Sequence, residues 1–255
     1  IVRFRVLIPG TKNFYDEIFW SSLIEALGYP SLYKKIVKVN LNGIVTQNFL
    51  FEEIPSKEFL ERFKFRESPI IEADERLFWK INYEFREKCI NMFLNTVVIS
   101  QEQNCMKNIK ADDHVGWKVD NKAFIKNETA ALIAFNSLYK IYNEENNFNE
   151  NETIKKFDKL NLDYNASHGL RKHNRKFIYD PILNNFIPIY FDGDIILPIK
   201  CNVGENYFKN KNLKKKFEEF QNIYVERAKI SLKDNQKCAA QNILTNKYNY
   251  FFKRE

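Results

Sequence analysis

The sequence predicts an α+β protein of two lobes, a small mixed lobe over residues 1–70 and a larger, mainly helical lobe over residues 71–255. Three observations predict it. Residues Ile36 to Phe51 alternate around Asn42-Gly43, a pair that tolerates the left-handed backbone of a tight hairpin turn. Apolar residues recur at helical spacing in Phe14, Ile18, Phe19, Leu23 and Leu27, and again from Ala131 to Tyr142. Finally, 7 Gly and 7 Pro in 255 residues are too few turn formers for an all-β chain.

The elements follow in order. Asn13 reads as a helix N-cap with Asp16 three residues on, and Gly28 and Pro30 end that helix. The Asn42-Gly43 hairpin comes next, and Ser56 then caps a short helix carrying Phe59, Leu60 and Phe63. Residues 72–98 read as helical, and Ser100 to Asp120 as a polar, irregular, exposed insertion. Asn127 caps the clearest helix of the second half, with Ala131, Leu132, Phe135, Leu138, Tyr139 and Tyr142 as its core stripe. Residues 146–152 read as a loop and 152–160 as a short helix. A brief strand is expected at Ile195 to Pro198, then helices near 210–232 and 235–251.

Composition excludes several classes. An apolar fraction of 44% and an aromatic fraction of 15% exclude a mainly disordered chain. No Gly-x-Gly-x-x-Gly or Walker pattern is present, so a bound nucleotide needs another phosphate holder. The net charge of +7 is spread along the chain, and nucleic-acid binding, for which no motif appears, ranks low. Cys89, Cys105, Cys201 and Cys238 are widely spaced and form no zinc pattern with the three histidines; free thiols and a cytoplasmic location are the expectation. No window is apolar enough for a membrane span and no signal peptide opens the chain. The first residue is Ile1, which leaves open a small lobe that begins upstream.

Residues 168–194 concentrate the chemistry. A polar loop, His168-Gly-Leu-Arg-Lys-His-Asn174-Arg175, precedes an aromatic strand at Phe177 to Tyr179. Asn184-Asn185 supplies a turn, and Phe186 to Phe191 returns to Asp192-Gly193-Asp194. The hairpin therefore carries Asn174 before its first strand and Asp192 and Asp194 after its second. All three are oxygen donors of the kind a divalent cation takes. A surface hairpin with ordinary polar ends has the same pattern, so the loop alone does not decide.

Taken in order, Asn174, Phe177, Tyr179, Asp180-Pro181, Pro188, Asp192 and Asp194 resemble the second half of the CotH-type atypical kinases, the spore-coat kinase family. The first half resembles it too: an aromatic-rich helix from Asn13 to Leu27, a strand ending in Asn42-Gly43, and a second strand ending in Glu52-Glu53. The resemblance implies a bilobal protein-kinase-like (CotH-like) fold and phosphoryl transfer from ATP, with Mg²⁺ or Mn²⁺, to a protein or glycan hydroxyl. It implies Asp192 as the metal ligand bridging the nucleotide phosphates and Asn174 as the ligand of a second metal. Asp194, two residues on along an extended strand, would share a metal with Asp192. Arg171, Lys172 and Arg175 would neutralise phosphate charge. Glu53 would line the nucleotide cleft or pair with the phosphate-binding cation, for which Arg3, Arg5 and Lys12 stand far enough upstream.

The departure lies at the catalytic base. In the best-known members an Asp stands five residues before the metal-binding Asn, and here that position is Gly169. The His168-Gly169-Leu170 loop looks like a variant in some CotH-like proteins, which makes His168 the candidate base and Asp163 the other option. Gly169 equally suits an inactive pseudokinase, an envelope or coat assembly scaffold.

Overall fold

The computed structural model describes residues 3–80, 83–84, 115–121, 124–126, 128–195 and 211–251. The chain is mixed α+β with two antiparallel sheets. Sheet 1 has the order β1-β3-β2, from β1 (Phe4–Leu7), β2 (Lys34–Leu41) and β3 (Val45–Glu53). Sheet 2 has the order β5-β4-β6-β7, from β4 (Ile70–Asp74), β5 (Gly116–Val119), β6 (Lys176–Asp180) and β7 (Asn185–Ile189). The helices are α1 (Phe14–Ala26), α2 (Lys57–Arg62), α3 (Glu128–Glu144), α4 (Glu152–Asp163), α5 (Lys211–Ala228) and α6 (Asp234–Phe251).

Local sequence explains most of these boundaries. Asn13 caps α1, its side chain accepting from the Asp16 amide, and Gly28 ends it at φ +90°, where a side chain would be strained. Asn42 and Gly43 both take positive φ in the β2–β3 turn, as their residue types require. Asn151 caps α4 by accepting from the Thr153 and Ile154 amides. Ser56 precedes α2 as expected, but its hydroxyl donates to Glu58 and makes no backbone cap.

Helix α1 is the hub. Ile18, Phe19, Trp20, Leu23 and Ile24 are all fully buried, and burial of one such side chain is worth roughly 1.5–3 kcal/mol. Phe19 meets Phe220 edge-on at 5.2 Å, and Trp20 donates its indole N–H to Asn161 on α4. The core around α1 thus joins residues 18–50 to residues 157–244 and crosses the boundary expected at residue 70. A second core lies between sheet 2 and α3–α4, around Ile71, Trp117, Ile141, Ile154 and Phe177.

Three expectations need correction. Residues 70–74 are a strand, not the start of a helix, because a short buried apolar run carries no periodicity to distinguish the two. Residues 116–119 belong to the sheet rather than to an exposed insertion, and Val115 and Trp117 are buried. The stripe expected to be the core face of α3 is core only in part: Leu138 packs against the second core and Ala131 is half-buried, but its four other members are uncovered. Ala130, Ala134, Ser137 and Ile141 are buried instead, and Leu132, Phe135, Tyr139 and Tyr142 are exposed. Small side chains let the helix approach Phe124 and Val119 closely, which decides the face that periodicity alone left ambiguous.

Cys238 is buried and disulfide-bonded, so it is not the free thiol expected; Cys89, Cys105 and Cys201 lie outside the described residues. Spacing gave no hint of this, because pairing depends on tertiary proximity. The expectations for residues 85–114, for the Asn127 cap and for a strand at 196–198 fall outside the described residues. Among the described residues no helix is long and apolar enough to cross a membrane.

Candidate functional site

The β6–β7 hairpin forms as its turn chemistry requires. Asp180 accepts from the Ile182 and Leu183 amides, Asn184 adopts φ +49°, and Lys176 pairs with Ile189 at the open end. That open end delivers two segments to one place. The loop before β6 runs through short 3-10 turns at Ser167–Leu170 and Lys172–Asn174. The segment after β7 runs from Tyr190 to Ile195. They meet so closely that a Cβ on Gly169 would stand 2.5 Å from the Phe191 carbonyl oxygen.

Asn174, buried, donates its side-chain amide to the His168 carbonyl at 3.1 Å. The His168 ring nitrogen Nε2 lies 3.9 Å from Asp192 Oδ2. Asn174 and Asp192 therefore both neighbour His168, the first at its backbone carbonyl and the second at its ring. Asp192 and Asp194 both take left-handed backbone, φ +50° and +49°. The segment is thus not an extended strand, and the alternation argument for a shared metal fails. The Asp194 side chain is exposed, while its backbone N–H donates to Glu17 Oε1 at 2.8 Å.

Beneath Asp192 lies a buried charge cluster. Lys12 Nζ is 2.6 Å from Asp192 Oδ1 and 4.0 Å from Glu52 Oε2. Lys34, fully buried, donates to Glu17 Oε2 at 2.5 Å and lies 3.2 Å from Glu52 Oε2. Arg5 pairs with Glu52 from the other edge of sheet 1. The sheet register makes this arrangement: Glu52 on β3 is directly opposite both Arg5 on β1 and Lys34 on β2. Glu17 reaches the cluster from α1 and also accepts from the buried Tyr190 hydroxyl, so one carboxylate ties the helix, β2 and the Asp192 segment together. The cations Arg5, Lys12 and Lys34 match the carboxylates Glu17, Glu52 and Asp192 in number.

The protonation states follow from this balance. Burial by itself raises the Glu52 carboxyl, but Lys34, Lys12 and Arg5 overcome it and hold the group at about 2. Burial lowers the Lys34 ammonium, and Glu17 and Glu52 more than reverse it, so the net shift is upward. Burial, reinforced by Glu17, pushes the Tyr190 phenol well above its ordinary value and keeps it a neutral donor.

A cavity of about 960 Å³ opens between Arg3, the 56–58 corner of α2, and Glu72 and Lys118 to Asn121 of sheet 2, and none of the cluster residues lines it. Glu72 in its wall binds Lys176, whose ammonium sits 4.6 Å over the Phe191 ring, one residue before Asp192.

The remaining expected residues lie elsewhere. Glu53 faces away from Glu52, accepting from the Tyr33 amide and pairing with Arg62. Arg175 is bound to Asp158 and to the Leu170 carbonyl. Arg171 is exposed on the loop, and Asp163 is exposed at the end of α4. Sequence reasoning passed over Lys34, Glu52 and Glu17. Lys34 and Ile36 share a phase on β2, as do Leu50 and Glu52 on β3, so alternation carried a signal for the first two. Glu17 had none, since α1 is buried on every side.

Among the described residues no group of three or more His, Cys, Asp or Glu side chains stands ready to hold a metal unaided. Asp192 and the amide oxygen of Asn174 are the donors at hand. This set fits magnesium only if phosphate oxygens complete the shell, the usual way that ion is held beside a nucleotide. No family model, no curated protein and no solved structure matches the chain.

Proposed function

We propose that the chain is an ATP-dependent phosphotransferase of CotH-like kinase type, acting on a hydroxyl of a protein Ser or Thr or of an envelope glycan. The observation that carries this reading is the placement of Asp192, delivered by the hairpin to Lys12 at 2.6 Å and His168 at 3.9 Å above the buried Lys34–Glu17–Glu52 group. A cavity elsewhere on the chain is within the size range of small-molecule sites, with Arg3 and Lys118 on its wall paired to Asp120 and Glu72. Asp192 and Asn174 would hold magnesium or manganese together with the nucleotide phosphates, and the metal would neutralise phosphate charge. The acceptor oxygen bonds to the γ-phosphorus as the bond from phosphorus to the β–γ bridging oxygen breaks. ADP leaves with that electron pair, and the acceptor proton passes to His168. Lys12 is placed to exchange Asp192 for a phosphate oxygen. The disulfide at Cys238 favours an oxidising compartment over the cytoplasm.

One observation favours a second reading, a nucleotide-binding scaffold without turnover. No side chain fits at position 169, because its Cβ would stand 2.5 Å from the Phe191 oxygen, so a carboxylate base cannot occupy that place. Calorimetric titration with Mg-ATP and a labelled-ATP turnover assay separate the cases. Asp192→Ala is expected to abolish Mg-ATP binding, and equal affinity in parent and variant removes Asp192 from the site. His168→Ala is expected to lower turnover roughly 10²–10⁴-fold with nucleotide affinity little changed, and Asp163→Ala to leave it near parental. Nucleotide binding without turnover in the parent establishes the scaffold.

A further inference from the structure

Helix α3 packs Ile133, Leu138 and Ile141 on the core but leaves a second apolar stripe uncovered. Leu132, Phe135 and Tyr139 are 60%, 65% and 67% exposed, and Tyr142, whose hydroxyl accepts from the Trp117 amide of β5, is 50% exposed. At about 100° per residue they fall within an arc of roughly 80°. With roughly 100 Å² uncovered on each, these four side chains make a patch on the order of 400 Å². That is within the range of a monomer's largest patch and about half of the roughly 800 Å² each partner buries in a standard interface, so flanking residues complete the contact.

We propose that this face joins two copies of the chain across a two-fold axis near the midpoint of α3. The stripe is self-complementary in spacing. In an antiparallel pair centred between Phe135 and Tyr139, Phe135 of one copy meets Tyr139 of the other, and Leu132 meets Tyr142. Each large side chain then finds an apolar partner. The arc carries no charge except Glu128 at one end, so two chains of net charge +7 meet there without like charges in contact. The same arrangement turns the exposed Lys126 of one copy toward the exposed Glu150 of the other. This patch is remote from the Asp192 cluster and does not depend on the proposed activity.

Sedimentation velocity on the full chain, from low micromolar to about 200 µM, tests the proposal. The expected result is a shift from 30.5 kDa toward twice that mass as concentration rises. Phe135→Ser combined with Tyr139→Ser should weaken association at least about tenfold while the far-ultraviolet circular dichroism stays parental, since both side chains are exposed. Leu132→Lys, which sets a cation against the partner's Tyr142, should do the same. A parent that stays monomeric at every concentration overturns the proposal. So does association of the folded variants as strong as the parent's.

Discussion

Replacing Lys34 with Met tests the buried cluster most directly. The substitution keeps the length of the side chain and removes its charge. Glu17 and Glu52 are 1% and 0% exposed, and Lys34 Nζ lies 2.5 Å and 3.2 Å from their oxygens. Without Lys34, Glu52 keeps Arg5 and the more distant Lys12, whereas Glu17 keeps only neutral donors, the Tyr190 hydroxyl and the Asp194 amide. Removing one partner of a buried ion pair costs roughly 3–5 kcal/mol, because the charge left behind is not compensated. For a chain of this size that corresponds to a fall in melting temperature on the order of 10 °C. Urea denaturation followed by circular dichroism and by tryptophan emission measures it, Trp20 lying in the same core as α1. Adding Glu17→Gln to Lys34→Met should restore about half of the loss, since the stranded charge is then gone. A Lys34→Met protein within about 1 kcal/mol of the parent would mean that water reaches the cluster in solution, and the account of Glu17 as the tie between α1, β2 and the Asp192 segment would fall.

Gly169→Ala should push the His168 loop away from Phe191, since the added Cβ would lie 2.5 Å from a backbone oxygen that has little freedom to move. The expected outcome is a destabilisation of about 1–3 kcal/mol together with weaker Mg-ATP binding, measured by melting and calorimetry; parental values in both would show that the two segments are not packed as described. Acid titration is expected to reveal Glu52. Its folded value of about 2 lies below the ordinary 4.5, so its contribution is complete above about pH 4.5 and disappears as the pH falls toward 2. The loss is on the order of 3 kcal/mol, and Glu52→Gln should flatten that part of the stability curve while lowering stability at neutral pH. A variant with the parent's acid limb would transfer the acid sensitivity to other carboxylates.

Much of the local structure was legible in the sequence. Asn13, Gly28 and Asn42-Gly43 act through their own backbone chemistry, so helix α1 and the β2–β3 hairpin begin and end where those residues stand, whereas sequence reasoning passed over the Asn151 cap of α4. The β6–β7 hairpin follows from the same short-range logic. Tertiary structure decided the rest wherever two faces were chemically plausible. Which side of α3 is buried depended on how closely Ala130 and Ala134 let it approach sheet 2. Whether Glu52 or Glu53 joined the cluster depended on strand phase, since neighbouring residues point to opposite faces. Glu17 met Lys34 only because the sheet register and the seating of α1 on its inner face brought a helix position beside a strand position. A sequence states periods and caps, which act over a few residues. The partner of a buried charge is chosen by distances between segments that the chain itself keeps far apart.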